Sequence, residues 1–165
     1  YNAHFKVANY LADLKARTGL LASLTARHAM ASVTKSAEVI GLAGQIGQSL
    51  AVATHIIDEC DQLTTPTYFT ERIVTGTYPL ALLFTRERET TWLDHFFAQP
   101  HRPSEADFAR AAQLTIDNGR GPALEMAGEL LSQTQLDVQV LPACPAKDGL
   151  SQFITQVTND IKSEY

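Results

Sequence analysis

Apolar residues recur at spacings of three and four along most of the chain, which predicts helices nearly throughout. Residues 2–31 read as one long helix, with Val7, Leu11, Leu14, Thr18, Leu21 and Thr25 in phase. Thr34 or Ser36 is placed to cap a second helix over about 36–63, and Thr64, Thr65 and Pro66 break it. A short helical piece near 70–75 leads to Gly76. Pro79 then opens the apolar run Leu80-Ala81-Leu82-Leu83-Phe84, with proline in the first turn of a buried helix. Thr90 or Thr91 starts a helix through Phe97, on which Trp92, Phe96 and Phe97 are expected in the core. Ser104-Glu105-Ala106-Asp107 starts another with acidic residues in its first turn. Gly119 and Gly121 are expected to punctuate before a helix over about 122–136. Pro142, Pro145 and Gly149 are expected to form a loop before a last helix over 150–163. No stretch alternates strongly enough for a sheet. The expectation is a single all-α domain over residues 1–165, without internal repeats.

The second helix has two unlike faces. Val39, Ala43, Ile46, Leu50, Ala53 and Ile57 form an apolar stripe that should face a core. The other stripe, Gly47, Ala51, Thr54 and His55, is small or polar and ends in Asp58, Glu59 and Asp61. That is the pattern of a helix lining an elongated apolar cavity with carboxylates at its mouth. Asp58 and Asp61 are three apart and share a face. Such a pair suits Mg²⁺, which takes one or two protein carboxylates, keeps waters and bridges to phosphate oxygens. The plainer reading is a solvated helix end with small residues for close packing.

Composition narrows the classes. The chain has 165 residues, enough for one core; 45% are hydrophobic and 19% charged, so it is globular. The net charge is −5 and no basic stripe exists, which argues against nucleic acid as a partner. Cys60 and Cys144 have no metal-ligand spacing and read as packing residues in a reduced, cytoplasmic setting. His4, His28, His95 and His101 show no ligand spacing either. No apolar run has the length of a membrane span, and no secretory signal opens the chain. The chain begins at Tyr1 already within a helical pattern, so it is expected to be the C-terminal part of something longer, or to have its front part elsewhere.

Three motifs in order resemble the C-terminal half of a trans-isoprenyl (polyprenyl) diphosphate synthase. Tyr10 is followed by Arg17-Thr18, where that family has a tyrosine and then Lys-Thr. Gly47 leads into Thr54-His55-Ile56-Ile57-Asp58-Glu59-Cys60-Asp61-Gln62, in the place of Phe-Gln-x-x-Asp-Asp-x-x-Asp. Thr75-Gly76-Thr77-Tyr78-Pro79-Leu80 is similar to the later Gly-Lys-x-Thr-Leu-Pro segment. The resemblance covers most of residues 5–140. It departs at Arg17 for lysine, Thr54-His55 for Phe-Gln, Glu59 for the second aspartate, Gln62 for the third with Asp61 displaced by one, and Thr75 for the later lysine.

The resemblance implies an isoprenoid-synthase-type helical bundle, in its C-terminal portion. It implies Mg²⁺-dependent condensation of isopentenyl diphosphate with an allylic diphosphate to give a short or medium polyprenyl diphosphate. Asp58, Glu59 and Asp61 would carry metal. Arg17 and Thr18 would hold diphosphate, with Arg17 keeping the family charge and adding a bidentate fork. His55, Thr54, Ala51 and Gly47 would contact substrate, the last three along the tail channel. The implied partner is a second copy or a homologous subunit. A non-catalytic subunit of a heteromeric synthase is the alternative, favoured by the altered motifs; an unrelated helical adaptor is a third.

Overall fold

The computed structural model describes residues 6–65, 67–88 and 90–163, and among them no strand forms. The helices are α1 (Val7–Leu14), α2 (Leu20–Ala31), α3 (Ala37–Gln62), α4 (Tyr68–Val74), α5 (Leu80–Arg88), α6 (Thr90–Ala98), α7 (Glu105–Thr115), α8 (Gly121–Val140) and α9 (Pro145–Ser163). Two five-residue π-helical turns, Lys15–Gly19 and Ile116–Arg120, join α1 to α2 and α7 to α8 without breaking the spiral. Residues 2–5 of the expected first helix, the expected break at Pro66 and the side chain of Thr90 lie outside the described residues.

The first π turn changes the phase of the long N-terminal helix. The Leu20 N–H donates to the Lys15 carbonyl, five residues back. One extra residue rotates all that follows by about 100°. Tyr10 and Leu14 are therefore buried, while Leu21 is 69% and Leu24 is 55% exposed. The single stripe expected from Val7 to Thr25 does not hold across that turn.

Capping follows the sequence elsewhere. The Ser36 hydroxyl accepts from the Val39 N–H at 3.3 Å, and the Thr34 hydroxyl accepts from the Ser36 N–H at 3.1 Å. Ser104 and Asp107 form a reciprocal capping box, each accepting the other's backbone N–H. Those Ser104 hydrogen bonds hold the Asp107 carboxyl below its usual range.

Two expected loops are helical instead. Gly119 does not end a helix; it lies in the second π turn, where an added Cβ would run into the Ala81 carbonyl and the Thr85 hydroxyl. The glycine is there for contact with α5. Likewise α9 begins at Pro145, a residue suited to the first turn, and carries Gly149 inside it. The expected loop shrinks to Leu141–Cys144, and Cys144 is exposed and not a packing residue.

The chain divides into two compact units, one built from the described part of 1–10 with 56–125, the other from 11–55 with 126–165. In the first, α5 packs on the second π turn and on α6 and α7. Its core includes Ile56, Cys60, Leu63, Phe69, Leu80, Leu82, Leu93, Phe96 and Phe108. Phe96 meets Phe108 edge-on at 5.5 Å and Phe97 at 5.0 Å, while half-buried Trp92 stacks on Phe96 and carries Arg110 over its ring at 4.5 Å. The second unit is centred on Leu14, Ala43, Ile46, Val52, Ala53, Leu131, Val138 and Ile154. Among the described helices α3 alone has the length and mean hydropathy of a membrane span, although polar residues interrupt its apolar stretches. Its Ala43, Ile46, Val52, Ala53 and Ile56 are buried within the protein.

Candidate functional site: the end of α3 and the first π turn

The last two turns of α3 separate its three carboxylates. Glu59 is 3% exposed, whereas Asp58 and Asp61 are exposed. The buried stripe here runs Val52, Ile56, Glu59, Cys60 and Leu63, so Glu59 belongs to the core face although it is charged. Burying a carboxylate is costly unless donors surround it. Here they do. The Tyr10 hydroxyl donates to Oε2 at 2.9 Å, the Leu80 backbone N–H donates to the same oxygen at 2.7 Å, and Arg72 donates to Oε1 at 3.0 Å. Burial, and then the Glu59 charge, push the Tyr10 phenol far above its usual value. The same two causes push Tyr68 up to about 12, and its ring lies under the Arg72 guanidinium at 5.8 Å.

Asp61 meets Arg120 of the second π turn at 3.4 Å, and Arg120 also donates to the Cys60 carbonyl at 3.4 Å. A cation at the carbonyl end of a helix is favourable on dipole grounds. Among the described residues no three His, Cys, Asp or Glu side chains converge as a metal cluster. The carboxylate trio expected from the sequence is thus resolved into two outward aspartates and one inward glutamate, both of whose oxygens are engaged. Two aspartates three apart fit Mg²⁺ that takes most of its ligands from phosphate and water, and do not make a cage that holds an ion alone.

In the other unit, Arg17, Thr18 and Gly19 occupy the first π turn. Arg17 is 59% exposed and pairs with Asp13 at 2.7 Å, one turn back. Thr18 is half-buried. A π turn at the position of the Lys-Thr motif is notable because such insertions concentrate at functional sites. Gly47, Ala51, Thr54 and His55 are half-buried. Gly47 lets α2 and α3 approach closely, since a Cβ there would meet the Ala22 carbonyl at 2.8 Å. It also lines an apolar cavity of about 370 Å³ with Ala26, Met30, Ile46, Leu50 and Leu141. The Thr54 hydroxyl donates to the Leu50 and Ala51 carbonyls of its own helix, so it is already engaged.

Tyr10, Arg72 and Arg120 were not singled out for these contacts by their residue types. Tyr10 and Glu59 are 49 residues apart, and Arg120 is 60 from Cys60. No short-range pattern carries such pairings. The one usable signal was a charged residue, Glu59, in helical phase with Ile56 and Leu63.

Comparison of the sequence with protein-family models and with curated proteins finds no match. Among solved structures, the fold matches geranylgeranyl pyrophosphate synthase from Lactobacillus brevis ATCC 367, at TM-score 0.85 and 19% identity over 96% of this chain and 53% of that one. The same synthase complexed with citrate matches at TM-score 0.80 and 18% identity, over 97% of this chain and 54% of that one. The chain therefore has the all-α isoprenoid-synthase fold that the resemblance implied, and spans about half the length of the structures it matches.

Proposed function

We propose that the chain is part of a trans-prenyltransferase that condenses isopentenyl diphosphate with an allylic diphosphate to form a short or medium polyprenyl diphosphate. The observation that carries this reading is the outward pair Asp58 and Asp61 at the end of α3, in a fold shared with a synthase of that class. In this role the two aspartates hold Mg²⁺, and Arg17 and Thr18 bind diphosphate oxygens. Arg17 exchanges its exposed pairing with Asp13 for phosphate at small cost, because surface ion pairs contribute little. Mg²⁺ when bound neutralises the charge of the leaving diphosphate. Thr54 and Ala51 contact an apolar chain and exclude water from it, Gly47 contributes through the apolar cavity it lines with Ala26 and Leu50, and His55 serves as a hydrogen-bonding group. The protein's own contribution is charge placement and a dry surface.

The test is thermal melting of the full chain with Mg²⁺ and inorganic pyrophosphate. Ligand that binds only the folded state raises the melting temperature by mass action. Asp58→Ala should remove most of that rise and leave the unliganded melt unchanged; an equal rise in the variant would dismiss Asp58.

The withdrawal of Glu59 from the carboxylate face favours a second reading, a non-catalytic subunit that works with a homologous chain. Turnover of labelled isopentenyl diphosphate with an allylic primer separates the two. Activity from this polypeptide as a homodimer supports the first. Activity only after a homologous chain is added supports the second.

A further inference from the structure

Glu59 is gripped by groups from three other elements: the Tyr10 hydroxyl on α1, the Arg72 guanidinium on α4 and the Leu80 N–H at the start of α5. Successive residues of a helix are about 100° apart, which puts Asp58 and Asp61 about 60° from each other and Glu59 about 100° and 160° away from them. Drawing Glu59 inward therefore aims both aspartates outward. A carboxylate held by donors from three directions tolerates neither a rotation nor a one-residue slide of the turn that carries it, since either would break all three bonds together. Arg120 closes the same turn from another side, through the Cys60 carbonyl and Asp61.

We propose that Glu59 is the positioning residue of the aspartate pair: its caged carboxylate sets the rotation of the last turn of α3, and with it the geometry that Asp58 and Asp61 present to a divalent cation. The inference rests on reading those two aspartates as cation ligands. Glu59 itself is not a ligand of the divalent cation in this proposal, because its oxygens are engaged by Tyr10, Leu80 and Arg72. The glutamate stem, one methylene longer than aspartate, supplies the reach to all three donors.

The experiment is calorimetric titration of the full chain with Mg²⁺ at saturating inorganic pyrophosphate, with melts of each protein recorded without ligand. Glu59→Gln keeps the shape but turns one oxygen into a donor facing Arg72. It should weaken Mg²⁺ binding by about tenfold, the lower end of what misorienting a metal's carboxylate ligands costs, because Glu59 acts on Asp58 and Asp61 through the turn they share and not by a bond to either. Glu59→Gln combined with Arg72→Met removes the opposed donor and should recover most of the affinity. Tyr10→Phe deletes one bond of the cage, keeps the Glu59 charge and should cause a smaller loss; it decides the matter if Glu59→Gln does not fold. Three results overturn the proposal. One is unchanged affinity in Glu59→Gln and Tyr10→Phe while Asp58→Asn loses binding, which makes the cage merely structural and leaves the proposed function standing. The second is a loss in Glu59→Gln that the double variant does not recover, which means the charge itself acts. The third is no Mg²⁺–pyrophosphate binding by the unaltered chain, which removes the proposed function as well.

Discussion

Tyr10 and Tyr68 gather around one buried carboxylate, and both phenols are raised, first by burial and then by Glu59. A phenol whose pKa rises on folding binds its proton more tightly in the native state. Its contribution is full below the unfolded value of about 10 and is lost as pH climbs through the native value. The melting temperature should therefore fall as pH rises from about 10 toward 12, and Tyr10→Phe/Tyr68→Phe should flatten that fall. Glu59→Leu should be severe at neutral pH, because it strands Arg72 and the Leu80 N–H together. Removing one partner of a buried pair costs about 3–5 kcal/mol, and the 29% exposure of Arg72 argues for the lower end; denaturant unfolding measures it. At this scale Asp58 and Asp61 were legible as outward carboxylates from their spacing and polarity. Glu59 carried one signal that set it apart, its helical phase with Ile56 and Leu63, but the donors that hold it inward come from α1, α4 and α5 and leave no trace near it in the sequence.

Helical elements were read well where a local device sets them. The Ser36 cap, the capping box at Ser104, the break after Gln62 and Pro79 before α5 all act within four residues. Gly119 and Gly149 were misread because glycine weakens helix and marks turns in isolation. Gly119 has a tertiary reason, contact with the Ala81 carbonyl and the Thr85 hydroxyl of α5. Gly119→Ala should consequently cost about 3 kcal/mol or more through overpacking. Gly41→Ala is the control: nothing lies within 4 Å of its added Cβ, and the helix propensity of alanine should stabilise the chain by about 0.5–1 kcal/mol. Opposite shifts in the denaturant midpoints of the two variants are the expected outcome. The π turn at Lys15–Gly19 was equally hidden, since one inserted residue leaves the local composition helical and alters only the phase.

For the whole molecule, α2 has no fully buried residue although Leu20, Leu21 and Leu24 are apolar, and Leu136, Val140 and Phe153 are exposed in the same unit. Leu20, Leu21 and Leu24 lie within about one turn of α2, and an exposed apolar cluster of that kind is a candidate interface. The chain should show concentration-dependent association by sedimentation. Leu21→Lys/Leu24→Lys should reduce it without lowering the melting temperature, because those side chains are mostly exposed already; association that persists would place the contact elsewhere. The helical class, the order of the helices, their polar caps and the placing of acidic residues at the end of α3 were determined by the sequence alone. Each depends on 3.6-residue periodicity or on hydrogen bonds within one turn. Tertiary structure decided which carboxylate is caged, which glycine is a contact and which leucines stay exposed. Those outcomes depend on donors and backbone brought from 20 to 60 residues away, as Leu80 is to Glu59 and Arg120 to Cys60.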